Sequence, residues 1–346
     1  MSAFNVRVLV ADDSPTCRAL LVGMLSRASG IEVVGQAKDG LEAIEMTSRL
    51  KPDVVTMDIQ MPRLDGYQAT RRIMSECPTP IVIVSSLDVR SVEISMEALK
   101  AGALEVMPKP VGPNDPGHDQ QARFLTATVR AMSDVRIVRR WPITSPDVEP
   151  VLSPVTAGLR PKVIAIAAST GGPVALLALL RGLPKDFAVP LLLVQHIAPG
   201  FGEGFIAWLD SGVGLRVKVA RHGEPLCGGT VYVAPDGQHL GVSRRSTIAL
   251  SDAPQIAGFR PSASFLFQSA GAAFGAASVG VILTGMGSDG LDGMRELKAA
   301  GGYVIAQDEA TSEIFGMPGV VVAAGISDKV LPLPQIGAQL LALASR

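Results

Sequence analysis

Long uncharged apolar stretches are missing from this 346-residue chain: no run stays apolar for the roughly 20 residues that a membrane-spanning helix needs. The N-terminal stretch MSAFNVRVLVADD lacks the basic region and apolar core of a secretory signal. A soluble, cytoplasmic protein with no direct membrane insertion is therefore expected. Cysteine is scarce as well. Cys17, Cys77 and Cys227 are widely spaced with no CxxC pair, which argues against a disulfide framework and a zinc site and suits a reducing compartment. Nor is one sign of charge in excess: 31 Lys and Arg stand against 32 Asp and Glu, a formal net charge of -1. Nucleic acid is thus not an expected partner. Internal repeats and low-complexity tracts are absent too.

What the chain has is two stretches of alternating rhythm. From Val6 to Met107, short apolar runs (VRVLVA, IEVVGQA, DVVTMD, IVIVSS, LEVM) alternate with helix-length amphipathic segments, the pattern of a parallel sheet with crossover helices on both faces. Between Val111 and Pro161 the rhythm fails. Pro, Gly, Asp and Ser gather in GPNDPGHD and WPITSPDVEPVLSP, with room for one helix from Phe124 to Val138 between them. From Lys162 the alternation resumes in KVIAIAA, PLLLVQ, VGVILT and YVIAQD, interrupted by a turn-rich stretch from Leu215 to Leu250 that reads as hairpins. The expected organisation is a first α/β domain over residues 1–123, a linker over 124–160 and a second α/β domain over 161–346.

In an open parallel sheet, ligands gather at the carboxyl ends of the strands. Asp12 and Asp13 follow VRVLVA, Asp58 follows VVTM, Ser85 closes IVIV and Lys109 follows LEVMP. Each aspartate by itself also suits a turn or a helix cap. Brought together, three carboxylates repel one another unless a cation neutralises them, and a hard, oxygen-liganded ion such as Mg²⁺ answers that need. Asp58, on the central strand, is then the natural nucleophile toward a phosphoryl donor. The series DDS, MDIQMPRLDG, VSS and MPKP, over about residues 5 to 110, resembles the receiver domain of two-component response regulators. That resemblance implies a flavodoxin-like, five-stranded parallel sheet, with Asp58 as phosphoacceptor and Asp12, Asp13 and Asp58 as the metal site. It further implies that Ser85 and Lys109 sense the phosphoryl group, and that the Lys109–Pro110 peptide is cis. One departure stands out: Val106 occupies the position where many receivers carry a switching aromatic.

In the second half, Ser169 follows KVIAIAA directly and precedes TGGP and a helical run. A serine at a strand-to-helix turn is well placed to work against an oxyanion held at a helix N-terminus, and equally well placed to cap the helix. The spacing is neither G-x-S-x-G nor a Walker loop. Of four histidines, His196 alone follows a buried-looking strand, LLLVQ, and Asp289 follows VGVILT. Three strand tips can therefore bring a Ser-His-Asp relay to one crevice. A rival stands beside it, since Gly285, Gly287 and Gly290 outline a dinucleotide-binding fingerprint with Asp308 at the next strand end.

The blocks AIAASTGGP, LLVQHIAPGF, GTVYVAPDGQHL, FRPSAS, LTGMGSDGLDGM and AQDEATSEIFGMP, in that order over about residues 161 to 343, resemble the catalytic domain of the chemotaxis protein-glutamate methylesterases. The resemblance implies a doubly wound, mostly parallel α/β domain with a β-hairpin insertion. Ser169 is then the nucleophile, His196 the base, Asp289 its orienting carboxylate, and Thr170 and Met286 the oxyanion-binding region. It implies hydrolysis of glutamate methyl esters on chemoreceptors with release of methanol, deamidation of receptor glutamines, no cofactor in this half, and a chemotaxis histidine kinase as phosphodonor. It implies also that the unphosphorylated receiver blocks the esterase. Ala167 replaces a usual glycine, and Phe259 stands where a histidine often precedes RPS. A transcriptional regulator lacks its basic helix-turn-helix here, whereas a non-catalytic receptor-binding response regulator stays open as the alternative.

Overall fold

The computed structural model describes residues 5–86, 89–133, 135 and 160–345. These residues fall into two compact units, one on each side of segment 136–159. In the first, β1 (Val6–Ala11), α1 (Pro15–Ser26), β2 (Ile31–Ala37), α2 (Gly40–Leu50), β3 (Val54–Met57), α3 (Gly66–Glu76), β4 (Ile81–Ser85), α4 (Val89–Lys100), β5 (Glu105–Pro108) and α5 (His118–Ser133) alternate strictly. The strands form one parallel sheet in the order β2-β1-β3-β4-β5. Val54, Val55 and Met57 of β3 and Ile81 to Ile83 of β4 are fully buried, as strands covered on both faces must be. The helices start on chemical signals. Ser14, Asp39 and Asp65 each accept backbone N–H groups of the first turn, and Pro15 opens α1.

Two expectations are corrected in this unit. The boundary at residue 123 falls inside α5, which buries Leu125, Val129 and Met132 and ties Arg130 to the carbonyl of Ser29 at 2.5 Å. The unit thus runs at least to Ser133. The apolar stripe of α5 continues past the Pro- and Gly-rich break that precedes it, so the break marks a loop within the unit. The remainder of the expected linker lies largely outside the described residues. The Lys109–Pro110 peptide is trans, the cis bond among the described residues being Arg260–Pro261. X–Pro bonds keep a trans preference of about 0.5–1 kcal/mol, and the trans form already brings the Lys109 ammonium to Asp58 and Asp12.

The second unit comprises β6 (Val163–Ala168), α6 (Gly172–Arg181), β7 (Leu191–Gln195), α7 (Gly202–Gly212), β8 (Arg216–Val219), β9 (Thr230–Val233), β10 (His239–Val242), β11 (Ile248–Ser251), α8 (Ala263–Phe274), β12 (Ser278–Ile282), α9 (Leu291–Ala299), β13 (Tyr303–Gln307), α10 (Met317–Ala323), β14 (Lys329–Leu331) and α11 (Leu333–Ala344). Seven strands make a parallel sheet in the order β14-β13-β12-β6-β7-β9-β8. Outside it, β10 and β11 pair as an antiparallel hairpin. The turn-rich stretch from Leu215 to Leu250 is therefore half hairpin and half sheet edge, since β8 and β9 join the main sheet. Both strands are only four residues long, β8 at the sheet edge and partly exposed and β9 buried beside it, and runs so short carry too little apolar pattern to be told from hairpin arms. Ala165 and Ala167 of β6 belong to one buried apolar cluster with Leu266 and Phe267 of α8 and Met294 and Leu297 of α9, and Leu176, Leu179 and Leu180 of α6 are buried as well. Each such leucine contributes about 1.5–3 kcal/mol.

Candidate active sites

Both sheets reverse their winding once, and both constellations lie there. In the first unit the reversal falls between β1 and β3, where Ala11 stands opposite Met57 and Asp58 N–H donates to Ala11 O at 2.8 Å. Asp12 and Asp58 thus leave adjacent strand tips side by side. Carboxylate oxygens of Asp12, Asp13 and Asp58 lie within 4.8 Å of one another; Asp12 and Asp58 are buried and Asp13 is exposed. From the next strands, Lys109 N–H donates to Ser85 O at 2.8 Å, and Lys109 Nζ donates to Asp58 Oδ2 at 2.8 Å. Asp12 Oδ2 is 3.1 Å from the same ammonium but lacks hydrogen-bonding geometry. Burial pushes the Asp58 carboxyl up to about 6, helped by the charge of Asp12 and opposed by Lys109. The Lys109 ammonium is held charged well above its ordinary range, because its two carboxylate neighbours outweigh its burial.

The donor set fits a hard divalent cation. All three ligand groups are oxygens, one ammonium cannot neutralise three carboxylates, and Asp12 Oδ2 and Ser85 Oγ are buried without a hydrogen-bond partner. Ser85 Oγ sits at the end of β4, the neighbour of β3.

In the second unit the reversal falls at β6, flanked by β12 and β7. Ser169 follows β6, His196 follows β7 and the loop bearing Asp289 follows β12, so sheet order alone converges them. Ser169 N–H donates to Thr284 O at 3.0 Å and His196 N–H to Ala168 O at 3.0 Å. The turn after Ser169 needs Gly171, whose φ is +74°, and the close approach of the β12 loop needs Gly285. A Cβ there would lie 2.7 Å from that of Ser169. Gly285 and Gly290 are thus required by close packing of the chain on itself, and Gly287 by its φ of +89°, so these glycines have structural reasons that need no dinucleotide.

His196 Nε2 is 3.0 Å from Asp289 Oδ2. Asp289 also accepts Ser262 Oγ–H at 2.9 Å, Ala263 N–H at 2.7 Å and Ser264 N–H at 3.1 Å. Ser262 is the N-cap of α8, so the positive end of that helix is aimed at the carboxylate. Burial by itself would raise the Asp289 carboxyl, but His196 and these backbone donors outweigh it and hold it at about 2. An ionised carboxylate only accepts, which places the proton of the imidazole on Nε2. Nδ1 is then the basic nitrogen, and it is buried without a partner. The opposite face of His196 is covered by Phe259, stacked at 4.1 Å between ring centroids with 9° between planes.

Sequence reasoning found the three strand-tip residues but missed their supports. Ser262 was legible as a serine before an apolar helical run. The Phe259 stack and the buried His239, whose Nδ1 accepts Ser262 N–H at 3.2 Å, left no local signal. Ser169 N–H is spent on Thr284, whereas the amides of Thr170 and Met286 have no acceptor among the described residues.

The chain matches two family models, the CheB methylesterase over residues 164–340 and the response regulator receiver domain over residues 8–116. It is 53% identical over 338 residues to a protein-glutamate methylesterase/protein-glutamine glutaminase of Myxococcus xanthus, covering 97% of this chain and 96% of that one. A relative of the same description from Anaeromyxobacter dehalogenans is 53% identical over 327 residues, 94% of this chain and 95% of the relative. The crystal structure of the Thermotoga maritima CheB methylesterase catalytic domain superposes with a TM-score of 0.52 at 39% identity, covering 54% of this chain and 100% of that domain. Two α/β units with these strand-end constellations, and likeness running the length of both, make the chain a member of the CheB methylesterase family with a response regulator receiver domain ahead of its catalytic domain.

Proposed function

We propose that this chain hydrolyses γ-methyl esters of glutamates on chemoreceptors, with Ser169 as nucleophile and phosphorylation of Asp58 as control. The observation that carries the esterase reading is the His196–Asp289 pair, its carboxylate fixed by three further donors, with the free Nδ1 edge beside the strand tip of Ser169. Ser169 Oγ gives its proton to His196 Nδ1 as it attacks the γ-carbonyl. The amides of Thr170 and Met286 donate to the developing oxyanion. His196 returns the proton to the departing methoxide, so methanol leaves and an acyl-enzyme remains. Water, deprotonated by the same Nδ1, then hydrolyses the acyl-enzyme and restores Ser169. A glutamine side chain fits the same steps with ammonia as leaving group.

In the receiver, Asp12, Asp13 and Asp58 would hold Mg²⁺. When bound, the ion supplies positive charge against the phosphoryl oxygens. Asp58 takes the phosphoryl group from a phosphohistidine of a chemotaxis kinase, Lys109 balances its charge, and Ser85 Oγ donates to it. Among the described residues no helix is long and apolar enough to cross a membrane. The substrate glutamates are then those that methylated chemoreceptors present on the cytoplasmic side. The test is methanol release from methylated receptor membranes, with and without a phosphodonor. Ser169→Ala should abolish release and leave Asp58 phosphorylation intact; appreciable release by that variant would refute the assignment.

A further inference from the structure

Ser169 and His196 share no side-chain hydrogen bond here, since Nδ1 has no partner, yet their spacing must hold to within a fraction of an ångström for proton transfer. Gln195 lies between them. It closes β7, pairs across the sheet with Ala168, and is 5% exposed. Its Nε2 donates to Ser169 O at 2.8 Å and to His196 O at 2.8 Å, using both amide hydrogens on the carbonyls of the two reacting residues. Ser169 O also accepts Gly172 N–H at 2.8 Å, so the nucleophile turn is tied at once to the start of α6 and to β7.

The amide is a poor choice for packing. Its Oε1 is buried with no hydrogen-bond partner and lies against Gly172, where a Cβ would come within 2.1 Å of it. An unsatisfied buried acceptor costs stability, and a methionine or leucine of similar volume fills a core without that cost. What the amide supplies in return is the pair of bonds to the two carbonyls, and both act on the site.

We infer that Gln195 is a positioning residue for the hydrolysis, a side-chain strap that sets the distance between the Ser169 hydroxyl and His196 Nδ1. The inference rests on the esterase reading above. It makes Gln195 act on the chemical step and leave substrate binding alone, because the strap faces the backbone of the two residues and not the mouth of the crevice.

The test uses the full-length chain with Gln195→Met, which keeps the volume and loses both donors, and Gln195→Glu, which keeps the shape. Methanol release from methylated receptor membranes is measured for both, beside wild type and Ser169→Ala, well below each variant's unfolding midpoint. Gln195→Met should lose about 10- to 100-fold in kcat with KM within about twofold. Gln195→Glu retains one donor while its carboxyl is protonated and turns a charge on two carbonyl oxygens when ionised, so its kcat relative to wild type should fall as pH rises from about 5.5 to about 8. A wild-type kcat in Gln195→Met, or a loss confined to KM, overturns the inference while an inactive Ser169→Ala leaves the esterase reading standing. Activity persisting in Ser169→Ala overturns the reading itself.

Discussion

Asp289 shows how much of the chemistry is decided one residue at a time. Its carboxyl titrates at about 2 against an ordinary 3.8, so the folded state binds its proton less readily than the unfolded chain. The stabilisation this provides is complete above about pH 4 and is lost as pH falls toward 2; it is on the order of 2 kcal/mol. Asp289→Asn should remove that acid-labile share, so that the gap in unfolding free energy between wild type and variant narrows on acidification through this window. Chemical denaturation at a series of pH values measures it, and a constant gap would contradict the ionised, donor-held carboxylate. The same variant should slow methanol release by about 10²- to 10⁴-fold, because an amide can turn its N–H toward the ring and favour the wrong tautomer.

At the scale of an element, α8 does more than cover the sheet. Its capping serine and first amides are hydrogen-bonded to Asp289, and its apolar face buries Leu266, Phe267 and Ala270. One helix thus anchors in the core and delivers its positive end to the relay. Ser262→Ala takes away the cap, which also accepts Phe265 N–H at 3.4 Å, and one donor to Asp289. A loss of about 1–2 kcal/mol in urea unfolding is expected, together with roughly tenfold slower turnover. Unchanged turnover in a destabilised variant would mean that the backbone donors suffice.

At the scale of the whole molecule, the acidic cluster and the relay belong to different units, each complete on its own strand tips. Chelation of divalent ions should therefore abolish phosphate incorporation at Asp58 and leave basal methanol release unchanged. Loss of basal release by a folded protein would relocate the metal. Coupling between the units is tested by Asp58→Asn, which should hold the full chain at its basal rate whatever phosphodonor is added, and by a chain beginning at about Pro161. The Thermotoga maritima catalytic domain, a separate chain matched over its full length, indicates that such a piece folds. Release by the truncated chain above that of the unphosphorylated protein is expected if the receiver blocks the esterase; an equal or lower rate would instead make phosphorylation a direct activator.

Apolar runs ending directly at Asp12, Asp58, Ser169 and His196 were enough to place those residues at strand tips, since a parallel sheet buried on both faces requires such runs and frees the residues just beyond them for chemistry. Period and punctuation are local properties, and the sequence carries them openly. The extent of α5 and the place of β8 and β9 in the main sheet are set by long-range packing, and the sequence was misleading on both; the cis Lys109–Pro110 bond was an expectation of the resemblance alone, and the bond is trans. The supports of the relay were hidden for the same reason. Asp289 meets its α8 donors across 25 to 27 residues of chain, Phe259 covers a ring 63 residues before it, and Gln195 reaches back 26 residues to Ser169. Residue types at strand ends thus determined which groups stand where the proposed chemistry needs them. Only the tertiary structure decided that Asp289 takes the Nε2 edge of His196 and leaves Nδ1 to act, because that choice depends on where a distant helix aims its N–H groups.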